Sequence, residues 1–236
     1  VTEPRRALVT GGARGIGAAI AETLATGGWQ VIAADIDAAV GRTSTQEIED
    51  VLLDVTDRVQ VAALLDTRGP FDVVVNNAAI AADMLPFAQL TADHFRRALK
   101  INVMGSFIVA QEAARRMTGG SIVNIASRGY LGGIGGAHYV ASKAAVVGMT
   151  RAMAVELRWR GISVNAVAPG MVETRMIDGF SPAMREKLTD MEPTGGPLDP
   201  SVIAGAVAFL ASPAGRSMTG QVLLVDGGKT IGVGLY

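Results

Sequence analysis

The sequence predicts an α/β fold in which helices cover both faces of a doubly wound parallel sheet of about seven strands. Three observations lead there. Short β-branched runs alternate with longer Ala-rich helical patterns along the chain. The strand-like runs are strongly apolar, as strands covered on both faces are. A glycine-rich turn joins the first run to the first helix. Taken in order, residues 7–10 read as a buried strand and 16–27 as a helix ended by a Gly pair. Residues 30–35 are the second strand and 51–54 the third, followed by a helix over 59–65. Residues 71–76 are the fourth strand. A helical pattern over 92–117 is long enough for one helix or two pieces. A strand at 121–126, a helix at 139–159 and a strand at 163–168 follow. Asp199-Pro200-Ser201 starts a helix, with Pro near its first turn, that runs to about residue 211. Residues 221–225 are the last strand. The segment 173–197 breaks the alternation: it is polar and carries Gly179, Pro182, Pro193, Gly195, Gly196 and Pro197. Within a compact domain, such an interruption reads as a substrate loop or lid.

Composition narrows the class. The chain of 236 residues is expected to form one domain over 1–236, with no linker, repeat or low-complexity segment. Its apolar fraction of 49% is enough for a substantial core. A net charge of −1, with acids and bases interspersed, argues against nucleic acid or a membrane surface as partner. The absence of Cys removes disulfides and thiolate zinc sites, and two histidines, His94 and His138, leave little for a metal centre. Residues 1–6 lack a signal-peptide apolar core, and no apolar run approaches transmembrane length, so a cytoplasmic location is expected.

The turn between the first strand and first helix reads TGGARGIG over residues 10–17. Gly11, Gly15 and Gly17 permit a tight turn, close backbone approach to a pyrophosphate and close helix–strand packing. The helix start at Ile16, with Arg14 and Gly15 in the turn before it, then offers free N–H groups and a positive dipole end to phosphates. Asp35 ends the second strand, 18 residues after Gly17. An acid there accepts hydrogen bonds from the adenosine ribose hydroxyls and repels a 2′-phosphate. Arg14 pulls the other way, since it could reach a 2′-phosphate. Asp35 occupies the more direct position, so NAD is favoured over NADP.

Together with these features, a series of further motifs resembles the classical short-chain dehydrogenase/reductase family over essentially the whole chain. The glycine turn looks like that family's cofactor loop, and Asp54-Val55 like its adenine-contacting pair. Asn76-Asn77-Ala78-Ala79 looks like its Asn-Asn-Ala-Gly motif, with Ala79 in place of Gly. Asn102 matches its catalytic asparagine, and Ser127 and the run from Tyr139 to Lys143 match its Ser and Tyr-x-x-x-Lys residues. Pro169, Gly170, Val172 and Thr174 match the segment that receives the nicotinamide end. Ser127 lies 12 residues before Tyr139, one fewer than is common in the family, and the glycine-rich stretch between them can absorb a deletion. The resemblance implies a Rossmann-like fold and homo-oligomers, dimers or tetramers, built on the helices around 92–117 and 139–159.

Tyr139 and Lys143 share a helix face. A neighbouring ammonium favours the phenolate and is expected to lower the tyrosine from its ordinary value of about 10 toward working pH. The tyrosine could then exchange a proton with a substrate oxygen as hydride moves. Lys143 would also bind the nicotinamide ribose, Ser127 would orient the substrate oxygen, and Asn102 would hold a water linking Lys143 to solvent. Taken alone, Tyr139 and Lys143 could be an ordinary helix pair; the whole set points to chemistry. His138 is expected at a pocket rim or on the surface, and His94 in solvent. Met171, Met176, Phe180 and Met184 could line a pocket or pack a lid helix. Pocket shape is expected to depend on Met84, Gly129, Tyr130, Leu131, His138 and the 173–197 loop. The expected function is NAD-linked oxidation of a small, mostly apolar secondary alcohol or reduction of its ketone. An NADPH-linked 3-oxoacyl reductase is the alternative, motivated by Arg14. A non-catalytic, cofactor-sensing protein on the same fold is the alternative of another class.

Overall fold

A computed structural model describes residues 4–37, 47–133, 136–174 and 182–231. Seven strands form one parallel sheet: β1 (Arg6–Thr10), β2 (Gln30–Asp35), β3 (Ile48–Leu52), β4 (Val73–Asn76), β5 (Gly120–Ile125), β6 (Ile162–Pro169) and β7 (Val222–Val225). Their order is β3-β2-β1-β4-β5-β6-β7. The winding reverses between β1 and β4, and the crevice beyond the carboxyl ends of those strands is where such sheets bind ligands.

Successive strand residues point to opposite faces, so an all-apolar strand feeds two cores. On one face Val9, Val31, Val73 and Val75 pack beneath α1 (Gly15–Thr26) and the helix Pro200–Ala211. On the other, Leu8, Ile32, Val74, Ile122 and Val164 pack under α2 (Arg58–Arg68) and the helix Ser106–Arg116. Each fully buried Val, Leu or Ile contributes about 1.5–3 kcal/mol over an exposed one. The tight, Ala-rich helices let both layers approach the sheet closely.

The pattern over 92–117 is neither one regular helix nor two. It runs as α3 (Ala92–Ala98), a π-helical segment Leu99–Gly105, and α4 (Ser106–Arg116). The wide turns seat the π segment against the loop after β3: a Cβ at Gly105 would lie 2.6 Å from Val55 Cγ2. Next come α5 (Ala137–Leu157), α6 (Pro182–Asp190) and α7 (Pro200–Ala211). The interruption at 173–197 thus contains a helix, and its two flanks are tied together by an isolated bridge between Val172 and Leu198.

β3 starts three residues before the expected 51 and ends at Leu52. Pairing of Val31 with Ile48 through Asp35 with Leu52 sets its register. As the edge strand it exposes Glu49, Asp50 and Leu52, so no apolar run announces it. Among the described residues no helix is long and apolar enough to cross a membrane.

Candidate active site

The turn after β1 is locked to the loop after β4. Thr10 Oγ1 donates to the Val75 carbonyl (3.2 Å) and accepts from the N–H groups of Asn77 (3.1 Å) and Ala78 (3.2 Å). Asn77 Nδ2 donates to the carbonyls of Thr10 (3.0 Å) and Gly11 (2.9 Å). This crossing leaves no room for side chains. Gly11 sits at φ +64°, and a Cβ at Gly17 would lie 2.0 Å from the Gly11 carbonyl oxygen. α1 begins with no side-chain cap and no acid in its first turn, so its leading N–H groups are left for an anion. A glycine cradle with an uncapped helix start fits the pyrophosphate of a dinucleotide.

Beyond the cradle, Asp35 Oδ2 accepts from the Ala13 N–H (3.0 Å) and Oδ1 from the Asp37 N–H (3.2 Å). Arg14 pairs with Asp37 at 3.0 Å, both half-exposed. Asp37 was not singled out in the sequence; only its place two residues after Asp35 could have pointed to it. Asp54 turns its carboxylate onto the N–H and hydroxyl of Thr56 (both 2.8 Å), which fixes the loop that presents Val55.

Buried amides set α5 against the sheet. Asn76 Nδ2 donates to Asn124 Oδ1 (2.8 Å), and Asn124 Nδ2 to Thr150 Oγ1 (2.8 Å), joining β4, β5 and α5. Lys143 Nζ, one turn beyond Tyr139, donates to the Ile125 carbonyl (2.8 Å). Its ammonium stands 5.8 Å from the Tyr139 ring centre. Burial lowers Lys143 to about 8. Burial pushes the Tyr139 phenol above its ordinary value, while a hydrogen bond with Ser127 pulls it down. The expected depression of Tyr139 by Lys143 is therefore corrected: the lysine is itself desolvated and committed to Ile125. Ser127 follows directly on β5, and its Oγ accepts from the Gly129 N–H (3.1 Å). A Cβ at Gly129 would lie 3.2 Å from Ser127 Oγ and 3.7 Å from Tyr139 Cε1, so this glycine keeps the face of the pair open.

Asn102 lies in the π segment, 1% exposed. Its Oδ1 accepts from the Ile80 N–H (2.8 Å), and its Nδ2 donates to the Ile80 carbonyl (3.2 Å) and Ser142 Oγ (3.0 Å). That side chain braces the loop after β4 against α5 and does not face the cleft. Every other site residue expected from the sequence lines one cleft of about 1230 Å³, from Gly11, Arg14, Gly15, Ile16 and Gly17 to Pro169, Gly170, Val172 and Thr174. Asp35, Asp54, Val55, Asn77, Ala78 and Ala79 share it with Ser127, Tyr139 and Lys143. Gly170 permits β6 to pass the loop after β7, since a Cβ there would lie 2.8 Å from Asp226 Cα.

The histidines differ from expectation. His138 is fully buried, with Nε2 3.3 Å from Asp83 Oδ2 and the rings of His94 and Phe95 beside it. One step round α5 from Tyr139 points into the packing of α5 on α3, not to solvent. His94 is half-buried and closes a capping box with Thr91 at the start of α3. Met84, Gly129, Leu131 and Met171 line the cleft, whereas Tyr130 packs beneath it. Met176 and Phe180 lie outside the described residues, as does the side chain of Met184. Of the tail at 231–236 only Ile231 is described, and it is exposed. The far wall also holds three residues the sequence did not single out: Arg128, Glu192 and Lys229. Among the described residues no group of three or more His, Cys, Asp or Glu could hold a metal ion.

Known proteins are similar to this chain over nearly its whole length. The family profile described as enoyl-(acyl carrier protein) reductase matches residues 11–230. A cis-4-hydroxycyclohexanecarboxylate dehydrogenase of Sinomonas cyclohexanicum is 39% identical over 242 aligned positions, covering 96% of each chain. The 3-oxoacyl-[acyl-carrier-protein] reductase FabG of Vibrio cholerae is 38% identical, covering 96% of this chain and 97% of its own. A crystal structure from Agrobacterium tumefaciens, provisionally described as a gluconate dehydrogenase, superposes with a TM-score of 0.88 at 31% identity, covering 97% of both chains.

Proposed function

The chain belongs to the classical short-chain dehydrogenase/reductase family, and from that premise we propose an NAD-linked oxidoreductase acting on a small, mostly apolar secondary alcohol or its ketone. The family binds a nicotinamide cofactor, which when bound supplies the hydride chemistry. In this reading Tyr139 takes the hydroxyl proton of an alcohol, or gives one to a carbonyl oxygen, and Ser127 fixes the direction of that oxygen. Lys143, buried beside the ring, holds the nicotinamide ribose and is the next proton carrier. Asn102 acts as a brace: its three side-chain hydrogen bonds hold the Ile80 loop and α5 in register. Residues 173–197 serve as the substrate loop of a single catalytic domain, a role supported by Leu188, Met191 and Glu192 in the cleft wall.

One observation carries the reading: Ser127, Tyr139 and Lys143 open onto the same cleft as the glycine cradle. The preference for NAD is supported by Asp35 at the end of β2 and by Arg14, whose charge is already matched by Asp37. A second reading, an NADPH-linked 3-oxoacyl reductase, draws on the Vibrio cholerae relative and on the half-exposure of Arg14. The assembly we propose is a homodimer or homotetramer, supported by the exposed Leu99, Met104 and Val155 on the helices concerned. Sedimentation tests it, and a monomer at micromolar concentration would count against it.

A screen of diverse alcohols with NAD⁺ and NADP⁺ tests the function. Reduction of NAD⁺ by secondary alcohols is the expected result. Strong preference for NADP⁺ would overturn the cofactor assignment. Tight NADH binding without turnover of any alcohol or ketone would restore the cofactor-sensing alternative.

A further inference from the structure

Arg128 follows Ser127 directly, and its guanidinium Nη2 lies 2.9 Å from Glu192 Oε1. Lys229 Nζ approaches the same oxygen at 3.6 Å and donates to the Met191 carbonyl. The Glu192 side chain is 3% exposed, and the Arg128 and Lys229 side chains are 26% and 18% exposed. All three line the same cleft as Ser127 and Tyr139. Two cations thus face one carboxylate. Among the described residues, the other guanidinium N–H groups of Arg128 have no partner.

A partly desolvated cation in excess is costly unless an anion completes it. At the glycine cradle, by contrast, the charge of Arg14 is matched by Asp37, and Asp35 lines the cleft close by in sequence. A neutral ketone gains nothing from the excess charge at the far wall. A carboxylate does, because a guanidinium can offer it two parallel N–H donors. The chain adjacency of Arg128 and Ser127 brings the two ends of one small molecule within reach of both.

We propose that this wall is a carboxylate-reading subsite, in which Arg128, with Lys229 behind it, takes the carboxylate of a hydroxy or oxo acid with an apolar body. The reacting carbon of that acid lies against Ser127 and Tyr139; that end rests on the proposed function. Glu192 occupies part of the subsite as an internal anion, so it competes with substrate for Arg128 and releases it when the acid enters.

Calorimetry on the NADH-loaded protein tests the subsite apart from turnover, with cyclohexanecarboxylate and cyclohexanecarboxamide as matched probes. The wild type should favour the carboxylate at least about tenfold at low salt, and less as salt rises. Arg128→Gln should cut that ratio at least about fivefold, and Arg128→Lys should restore part of it, which a folding defect would not do. Glu192→Gln should raise the ratio by removing the competing anion. Equal binding of the two probes, or no measurable carboxylate binding, would overturn the proposal. So would an equal loss of both probes in Arg128→Gln, the signature of a simple clamp between loop and wall. If the preference holds but no hydroxy acid is oxidised, the reaction fails and the subsite stands. If neutral alcohols are oxidised without a carboxylate preference, the subsite alone fails.

Discussion

The two ends of the cleft are built from different materials. Around the first β–α turn the contacts are made by short side chains to backbone: the Thr10 hydroxyl and the Asn77 amide stitch the two central loops together, and glycines fill the crossing. At the far wall, Arg128 and Lys229 reach across to Glu192 from separate segments of chain. The first end tolerates almost no change in shape, because a single added methyl meets a carbonyl. The second can exchange one anion for another without moving the sheet. A cofactor common to a family calls for the first kind of construction, and a substrate particular to one member for the second.

That contrast breaks most readily at Gly17. Gly17→Ala should weaken NADH binding about 100-fold, since a side chain 2.0 Å from the Gly11 carbonyl forces the cradle apart at a cost near the top of the range of about 1–3 kcal/mol. Fluorescence titration of NADH measures it; unchanged affinity would mean that the dinucleotide does not lie on this turn. A smaller effect is expected from Asp35→Asn, which removes the charge but keeps a hydrogen-bonding group. The ratio of kcat/KM for NADH over NADPH should fall about tenfold, about 1.4 kcal/mol. No change in the ratio would place selectivity with Arg14 and Asp37 instead.

The smallest effect is a pH dependence of stability in the cofactor-free protein. Lys143 titrates near 8 when folded, against about 10.4 in an unfolded chain. Below pH 8 both states carry the proton, so the burial penalty is felt in full. Between the two values the folded state has lost its proton while the unfolded state retains it, so stability rises with pH across that window. Lys143→Met should remove this rise when melting temperatures are compared from pH 7.5 to 10. A parallel pair of curves would show that the ammonium is not desolvated.

The same contrast decides how much could be read from the sequence. All seven strands and the glycine cradle are legible, two strands with shifted ends, because parallel strands demand apolar runs and close approach demands glycine. β3 starts earlier than the apolar pattern predicts because an edge strand keeps only Ile48 buried among exposed Glu49, Asp50 and Leu52. β4 was drawn too long at its start, where Asp72 turns its carboxylate to the Arg6 N–H before pairing begins. The π segment leaves no trace in composition, since the residue it seats against, Val55, is distant in sequence from Gly105. His138 was expected outside because helical spacing gives the angle from Tyr139 but not what packs on that side. The Arg128, Glu192 and Lys229 group was invisible for a related reason: three charges from distant parts of the chain meet only once the loop folds back to the sheet.

Single-turnover oxidation of NADH, with a ketone chosen from the alcohol screen, probes Tyr139 most directly when wild type and Tyr139→Phe are run side by side. If the phenol delivers the proton, the variant should bind NADH as tightly as wild type and oxidise it about 10²–10⁴-fold more slowly. A variant that consumes NADH at the wild-type rate would remove Tyr139 from the chemistry and contradict the account.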